Sequence, residues 1–276
     1  MGSDSKQIRI LHIYHDLMNL YGDWANVAVL ERELALRGCE VIVDKKSVGD
    51  VIDFDFYDFL YIGSGTERSL IACMRDIERY KDVMIDRVNA GVVMLATGNS
   101  HELFGQAVTG SDGVRHEMLG LLDFETMQKN TRVTGDCVFT TSFADGKMIG
   151  FINRSGGSQL ARGKTKENQS VKNHGERNSE NYRENQSREN LSGGVSAENI
   201  DRPFSIEPRE GANYAAGTEG IRYKNLIGTY MTGPLLVRNP PLLKYFTDLF
   251  TDAVRQDDDL FFDYQEKAFR VALSEL

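Results

Sequence analysis

The fold of this chain is decided by the stretch Val92-Val93-Met94-Leu95-Ala96-Thr97-Gly98-Asn99-Ser100-His101-Glu102-Leu103-Phe104-Gly105. Its apolar start predicts a strand, and the residues that follow predict a tight turn at 97–100 and then a helix. A strand that ends in a sharp turn before a helix is the architecture of a nucleophile elbow, which lifts one side chain clear of the backbone. The residue at the apex is Gly98, so the elbow presents no side chain.

The sequence around this stretch alternates between strands and helices. Apolar runs and apolar residues at helical spacing predict strands at 8–14, 40–44, 59–62 and 92–96, and helices at 22–37 and 71–89. Strands separated by helices of this length pair in parallel through right-handed crossovers. We therefore expect an α/β fold with a doubly wound, mostly parallel sheet. In such sheets ligands bind at the carboxyl ends of the strands, where the loops at 63–68 and 97–100 would lie.

The pattern changes from about residue 114 onward. Shorter strand-like runs with turns occupy 132–143 and 148–152, and they predict an antiparallel extension of the sheet. After residue 211 a further strand is predicted at 223–230, followed by helices at 242–255 and 259–273. We expect all of these elements to belong to a single domain, 1–276.

A low-complexity insertion interrupts that domain between residues 162 and 202. It is rich in Asn, Ser, Glu, Arg and Lys and carries eight basic and seven acidic residues. Such a stretch cannot bury enough apolar surface to offset the entropy of ordering it. We expect a disordered insertion, the alternative being a segment that becomes ordered on a partner.

Composition restricts the classes of partner. The chain has 276 residues and a formal net charge of −9, which argues against nucleic acid or an anionic membrane as the main partner. No apolar run approaches the roughly 20 residues that cross a bilayer, and the N-terminus lacks an apolar signal-peptide core, so we expect a cytoplasmic protein. The cysteines Cys39, Cys73 and Cys137 are widely spaced, which predicts free thiols instead of disulfides or a zinc site.

Five segments resemble one known family. The most specific is Asp16-Leu17-Met18-Asn19-Leu20-Tyr21-Gly22-Asp23-Trp24-Ala25-Asn26, and the others, in chain order, are 62–67, 95–105, 150–153 and 228–240. Together they are similar to the CobB/CobQ-like type 1 glutamine amidotransferases (class I fold). Within that family they resemble the amidotransferase (GatD-type) subunits of lipid II isoglutaminyl synthases, which work beside a Mur-ligase-like synthetase subunit in peptidoglycan (cell-wall) stem-peptide amidation.

The resemblance also implies which residues the chemistry would need. Family members hydrolyse glutamine with a cysteine thiolate activated by a histidine. The cysteine position is Gly98 here and the histidine position is Thr232, while the Asn-His pair of the middle segment is Asn153-Arg154. Glycine cannot attack a carbonyl, and a threonine hydroxyl cannot act as a general base near neutral pH. We therefore predict a pseudoenzyme with no intact catalytic residue and no cofactor or metal.

A remnant of the amino-acid pocket is expected. The resemblance places Arg132 where the family keeps an arginine that contacts bound glutamine, and a guanidinium suits a carboxylate. An exposed strand arginine in a solvated ion pair is the alternative for that residue. Ser64 and Gly65 can present backbone N–H groups to an anion. These three residues are the predicted binding residues for glutamine or another small amino acid.

Other polar residues near these segments have structural interpretations. Thr97, Ser100 and His101 flank the apex, but neighbours in a turn generally point apart, so a replacement nucleophile with His101 as its base is disfavoured. His101 and Glu102 are expected to be solvated residues of a first helical turn.

The set Asp16, Asn19, Asp23 and Asn26 contains oxygen ligands of the kind that Mg²⁺ prefers, but turn and capping roles are favoured over a metal site.

Three hypotheses for function remain. In the first, the chain is a degenerate amidotransferase subunit that binds or scaffolds a synthetase without hydrolysing glutamine. In the second, it is still an active glutaminase subunit that delivers ammonia. In the third, it is an interaction protein unrelated to amidation. The replaced cysteine and histidine positions favour the first.

Overall fold

The computed structural model describes residues 5–160, 195–210, 212–214, 216–252 and 260–276. Within them two six-stranded sheets form. The strands of the first sheet are β1 (Gln7–Ile13), β2 (Glu40–Lys46), β3 (Phe59–Ile62), β4 (Val93–Thr97), β11 (Ile221–Tyr223) and β12 (Leu226–Thr229). Their order is β11-β12-β4-β3-β1-β2, and all neighbours pair in parallel except β11 with β12.

Helices cover both faces of the first sheet. Helix α1 (Trp24–Leu36) packs on the face that carries Ile8 and Ile10, together with the later helices α4 (Leu235–Arg238) and α5 (Pro240–Asp248). Helices α2 (Glu67–Ile77) and α3 (Lys81–Ala90) pack on the opposite face. Alternate residues of a strand point to opposite faces of the sheet. Because helices cover both faces, the side chains of β1, β3 and β4 are buried on both sides, which explains their continuous apolar runs. The expected doubly wound, mostly parallel α/β fold is confirmed.

The predicted helix at 71–89 is in fact two helices joined by a 3₁₀ turn at Glu78–Tyr80. At Tyr80 the backbone leaves helical geometry, with φ −108° and ψ 11°. The Tyr80 ring packs edge-on against Phe54, and its hydroxyl accepts a hydrogen bond from the Ile52 N–H at 3.0 Å. The helix is interrupted at Tyr80, where these contacts hold the side chain, although the spacing of apolar residues in the sequence continues across this point.

The second sheet contains the predicted antiparallel strands. It is formed by β5 (Ala107–Thr109), β6 (Arg115–Glu117), β7 (Phe124–Thr141), β8 (Met148–Leu160), β9 (Phe204–Ile206) and β10 (Gly217–Glu219). Its order is β10-β9-β7-β5-β6, with β8 paired to β7, and β5 with β7 is the parallel pair. The β7–β8 hairpin is longer than expected and has an irregularity between Gln128 and Val133.

Most of the predicted insertion at 162–202, namely residues 162–194, lies outside the described residues. Its last eight residues are described and packed, which corrects the predicted boundary. Ile200 is only 5% exposed, and Val195 and Asp201 form bridges with Leu122 and Arg222. Residues 195–202 are therefore part of the fold, because Ile200 lies in the core and Val195 and Asp201 pair with neighbouring segments.

Near the C-terminus three predicted boundaries differ from the structure. The strand at 223–230 is a hairpin of β11 and β12, turning at Lys224 with φ 52°. Helix α5 ends at Asp248 instead of 255, and α6 covers Leu260–Glu275. No helix among the described residues is long and apolar enough to cross a membrane. Cys39, Cys73 and Cys137 are buried and free, as predicted.

The packing of Ile200 gives a test of where the insertion ends. We expect Ile200→Ala to lower the free energy of unfolding by about 2–5 kcal/mol, because it leaves a cavity in the core. Urea denaturation measures the change. The control Val51→Ala removes a side chain that is 80% exposed, and we expect it to change stability by less than about 0.5 kcal/mol. Equal effects of the two variants would contradict the packed assignment of 195–202.

Candidate functional site

The loops that follow β1, β3 and β12 and the last residue of β4 meet at one buried carboxylate. Asp23 is 0% exposed. One of its oxygens accepts from the Ser64 hydroxyl at 2.7 Å and from the Tyr21 N–H at 3.1 Å. The other accepts from the Gly233 N–H at 3.2 Å and from the Thr97 hydroxyl at 3.3 Å. Four donors around one carboxylate offset the cost of burying its charge and fix these four segments against one another.

Asn26 joins the same loops one helical turn later. Its side-chain amide donates to the Tyr61 hydroxyl at 2.7 Å and to the Gly233 carbonyl at 2.9 Å, and its oxygen accepts from the Leu236 N–H at 2.8 Å. Asn26 is 1% exposed, so these bonds lie out of water. The motif 16–26 therefore connects the end of the first strand to the segment 233–236 through hydrogen bonds.

Of the remaining polar residues of that motif, Asn19 has the predicted capping role, whereas Asp16 bonds to a residue that follows β2. The Asn19 side chain accepts from the Trp24 N–H at 2.9 Å, at the start of α1. Asp16 accepts from the Ser47 hydroxyl at 2.7 Å. In the part of the chain that the structure describes, no group of three or more His, Cys, Asp or Glu residues is arranged to hold a metal ion.

Gly98 adopts the conformation of an elbow apex. Its φ is +65°, in the left-handed region that an L side chain enters only at a cost. Its N–H donates to the Met231 carbonyl at 2.9 Å, which links the apex to the segment after β12. The helix expected after the turn is a 3₁₀ helix, Gly98–Phe104, and it begins at the apex itself.

The space beside the apex is filled. A Cβ placed on Gly98 would overlap the Cβ of Ser64, and it would lie 3.2 Å from the Cα of Ser64 and 3.3 Å from the Cγ2 of Thr232. The two positions that the resemblance assigns to cysteine and histidine are therefore neighbours in space. Rotation of the Ser64 side chain would not relieve this overlap, because Cβ moves only with the backbone. The Ser64 hydroxyl is in addition bonded to Asp23.

Three residues beside the apex, Thr97, Ser100 and His101, are buried and hydrogen-bonded. The Thr97 hydroxyl contacts the Tyr61 hydroxyl at 2.8 Å, and the Ser100 hydroxyl donates to the carbonyls of Thr97 and Ile62 at 2.9 and 3.0 Å. His101 is 0% exposed, so its predicted solvent exposure is wrong.

Both ring nitrogens of His101 are within hydrogen-bond distance of a partner. Nδ1 lies 2.8 Å from the Gly98 carbonyl, and Nε2 lies 3.2 Å from the Ser158 hydroxyl. Burial lowers the pKa of His101 to about 3. These contacts do not present the imidazole to Thr97 or Ser100 as a base.

The predicted binding residues do come together. Ser64, Gly65 and Arg132 line one pocket at the carboxyl edge of the first sheet, beside Thr232. The pocket has a volume of about 30 Å³, room for on the order of two water molecules and too small in this arrangement for an amino acid.

Two of those residues are already engaged within the protein. The Gly65 N–H donates to the side-chain oxygen of Asn99 at 3.0 Å, so it does not point freely at a ligand. Arg132 is half-exposed, bonds to Asn153 and lies 3.8 Å from Glu67. The solvated ion pair, which was the alternative for Arg132, is thus present at the pocket mouth.

Sequence reasoning missed the charged inner wall of this pocket. Glu102 is 2% exposed instead of solvated, and burial raises its pKa to about 8. The Tyr230 hydroxyl donates to one Glu102 oxygen at 2.9 Å, and the Arg154 guanidinium lies over the Tyr230 ring at 4.9 Å. The one available signal was an acidic residue directly before the apolar pair Leu103-Phe104.

The overlap at the apex leads to a stability prediction. We expect Gly98→Cys to cost about 1–3 kcal/mol more than Gly22→Cys, because both impose left-handed strain but only the first creates a steric overlap. Gly22 is the matched control, with φ +73° and open space around its Cβ position. Adding Ser64→Gly to Gly98→Cys should recover part of the loss. Denaturation of the four proteins measures this, and equal costs at positions 22 and 98 would contradict a filled apex.

Comparisons with known proteins agree with this architecture. The subunit GatD of lipid II isoglutaminyl synthase (glutamine-hydrolyzing) from Staphylococcus aureus (strain N315) is 26% identical over 242 residues, covering 88% of this chain and 84% of that protein. The same-named subunit from Streptococcus pneumoniae (strain ATCC BAA-255 / R6) is 29% identical over 245 residues, covering 87% and 79%.

A solved structure described as a glutamine amidotransferase has a TM-score of 0.50 at 12% identity and supports the fold alone, covering 87% of this chain and 97% of that one. Residues 9–240 match the family description "CobB/CobQ-like glutamine amidotransferase domain", which is most of the sequence. The chain belongs to the CobB/CobQ-like glutamine amidotransferase domain family.

Proposed function

We propose that this chain is a cytoplasmic, non-hydrolytic subunit of a lipid II isoglutaminyl synthase, which binds and scaffolds a Mur-ligase-like synthetase subunit. Its similarity to two GatD subunits over nearly the whole chain supports the place in lipid II amidation. One observation carries the loss of hydrolysis. The elbow apex is a glycine at φ +65°, and the space for a side chain is filled by Ser64.

Hydrolysis of glutamine needs groups that this pocket does not offer. A nucleophile must attack the amide carbonyl, a base must take its proton, and N–H groups must stabilise the oxyanion. Gly98 supplies no nucleophile, and the hydroxyl of Thr232 is not a base at neutral pH. The Gly65 N–H, a predicted oxyanion donor, is bonded to Asn99. These observations on the nucleophile, the base and one predicted oxyanion donor support the proposal that the chain does not hydrolyse glutamine.

A subunit without glutaminase activity changes where the amide nitrogen comes from. The two relatives are subunits of an enzyme named as glutamine-hydrolysing. A complex containing this chain would take free ammonia as its nitrogen donor. The subunit would then contribute a rigid surface for the synthetase, held by the Asp23 and Asn26 hydrogen bonds.

The test uses the full chain co-expressed with the Mur-ligase-like synthetase from the same organism. We expect the two to co-purify, to release no ammonia from glutamine, and to amidate lipid II when ammonium chloride is supplied. Ammonia is measured with a coupled assay, and amidation by mass spectrometry of the stem peptide. A GatD pair with an intact cysteine serves as the positive control.

Each alternative has its own outcome. Sustained ammonia release from glutamine, blocked by a glutamine-analogue inhibitor, would show an active glutaminase and overturn the non-hydrolytic assignment. Failure of a well-folded chain to associate with the synthetase would overturn the subunit assignment and leave an interaction protein unrelated to amidation.

A further inference from the structure

The first sheet ends in a long strand with a free edge. Strand β2 (Glu40–Lys46) is the outermost strand, and among the described residues it pairs with β1 alone. The strand at the opposite end of the sheet, β11, has only three residues and is bridged by Asp201. Proteins usually shorten or cover the edges of their sheets, because unpaired backbone groups there accept another strand. The edge of β2 is therefore open to the addition of a further strand.

The hydrogen bonds to β1 determine which backbone groups of β2 point outward. The Glu40 N–H donates to the Lys6 carbonyl at 3.0 Å, and the Lys46 carbonyl accepts from the Tyr14 N–H at 2.6 Å. In a parallel pair each strand bonds to its neighbour through alternate residues, so the even-numbered residues of β2 bond to β1. The N–H and C=O groups that point away from the sheet are those of Val41, Val43 and Lys45.

We propose that two copies of this chain pair through their β2 strands, antiparallel to each other, about a two-fold axis at Val43. In this register Val43 faces its own copy, and Val41 of each copy faces Lys45 of the other. Each facing pair exchanges two backbone hydrogen bonds, about six in all. The interface is isologous, since both copies contribute the same surface. The inference goes beyond the proposed function and does not rest on it.

Charge complementarity selects a second copy as the occupant of this edge. Charged residues on an edge strand usually oppose pairing. Here, however, the two ends of the strand have opposite signs, with Glu40 at its start and Lys46 at its end. In the antiparallel register Glu40 of each copy lies opposite Lys46 of the other, which gives one ion pair at each end of the interface. Opposite charges directly across a strand pair stabilise it.

The other side chains of β2 are compatible with the same register. Val41 and Val43 are half-buried against the core that includes α1, and cross-strand pairs of β-branched residues stabilise a sheet. The two Lys45 side chains lie at opposite ends of the interface. Asp44 is diagonal to its copy and not opposite it, and its carboxylate accepts from the Tyr57 hydroxyl of its own protomer at 3.0 Å.

The first test is the oligomeric state of the full chain, measured by sedimentation velocity from low to high micromolar concentration. We expect a dimer with a micromolar dissociation constant, because a single strand pair forms a small interface. Lys45→Pro removes an outward N–H and places a ring against the second strand, so it should abolish the dimer. Proline is tolerated at an edge where the N–H faces solvent, so the fold should persist. The matched control Lys45→Ala keeps the N–H and should keep the dimer.

Charge reversal is a second test that does not depend on proline. Glu40→Lys places like charges opposite each other at both ends of the interface and should raise the dissociation constant about tenfold. Lys46→Glu should have the same effect. The two substitutions together restore opposite charges, and we expect the double variant to dimerise as the wild type does. Circular dichroism confirms that each variant is folded.

Three results would overturn this assignment. The first is a wild-type chain that stays monomeric over the whole concentration range. The second is a dimer whose dissociation constant is unchanged by Lys45→Pro and by Glu40→Lys, because that dimer would use another surface. The third is a one-to-one complex with the synthetase that Lys45→Pro disrupts, because the edge would then bind the synthetase and not a second copy.

Discussion

The Asp23 carboxylate is the constraint on which the rest of this site depends. It is fully buried, and the loops after β1, β3 and β12 and the last residue of β4 donate to it. Hydrogen bonds to a buried charge are stronger than those between neutral groups, and the loss of one leaves a costly deficit. The hydrogen bonds to this carboxylate therefore fix the distances between three segments: the elbow, the loop at 63–66 and the turn at 232–234. Van der Waals packing between short loops alone would fix those distances less tightly.

That constraint couples the two residues at the apex. Ser64 is held by Asp23, and its Cβ lies where a side chain on Gly98 would have to go. A larger residue at 98 must displace Ser64, and displacing Ser64 removes a donor from the central carboxylate. The absence of a nucleophile at Gly98 is thus part of the packing of the site and not an isolated substitution.

The sequence predicted the parts of the fold that depend on local pattern. Apolar runs placed β1, β2, β3 and β4 closely, because buried parallel strands are continuous apolar segments. The family resemblance predicted Ser64, Gly65 and Arg132 as binding residues, and all three line one pocket. Tertiary contacts decided the rest, such as the break at Tyr80, where a ring anchored on Phe54 ends the helix.

The burial of Glu102 and His101 was missed for a similar reason. Polar residues after a turn usually face water, but here the long β7–β8 hairpin, contributing Ser158 and Arg154, and Tyr230 after β12 cover them. No pattern within the segment 95–105 reports a strand that arrives from fifty residues further along the chain. The polar interior of the pocket is therefore a property of the assembled fold.

The apex and the inner wall of this pocket differ in how well their groups are satisfied. At the apex, glycine removes the strain that a side chain would have at φ +65°, and Ser64 fills the space with a bonded hydroxyl. At the inner wall, Glu102 and Arg154 each keep a buried atom that has no hydrogen-bond partner among the described residues. A pocket that had merely been packed shut would satisfy or replace such groups, because apolar residues of similar shape cost less. The pocket therefore combines an apex without a strained side chain and an inner wall whose polar groups are only partly satisfied by the described residues.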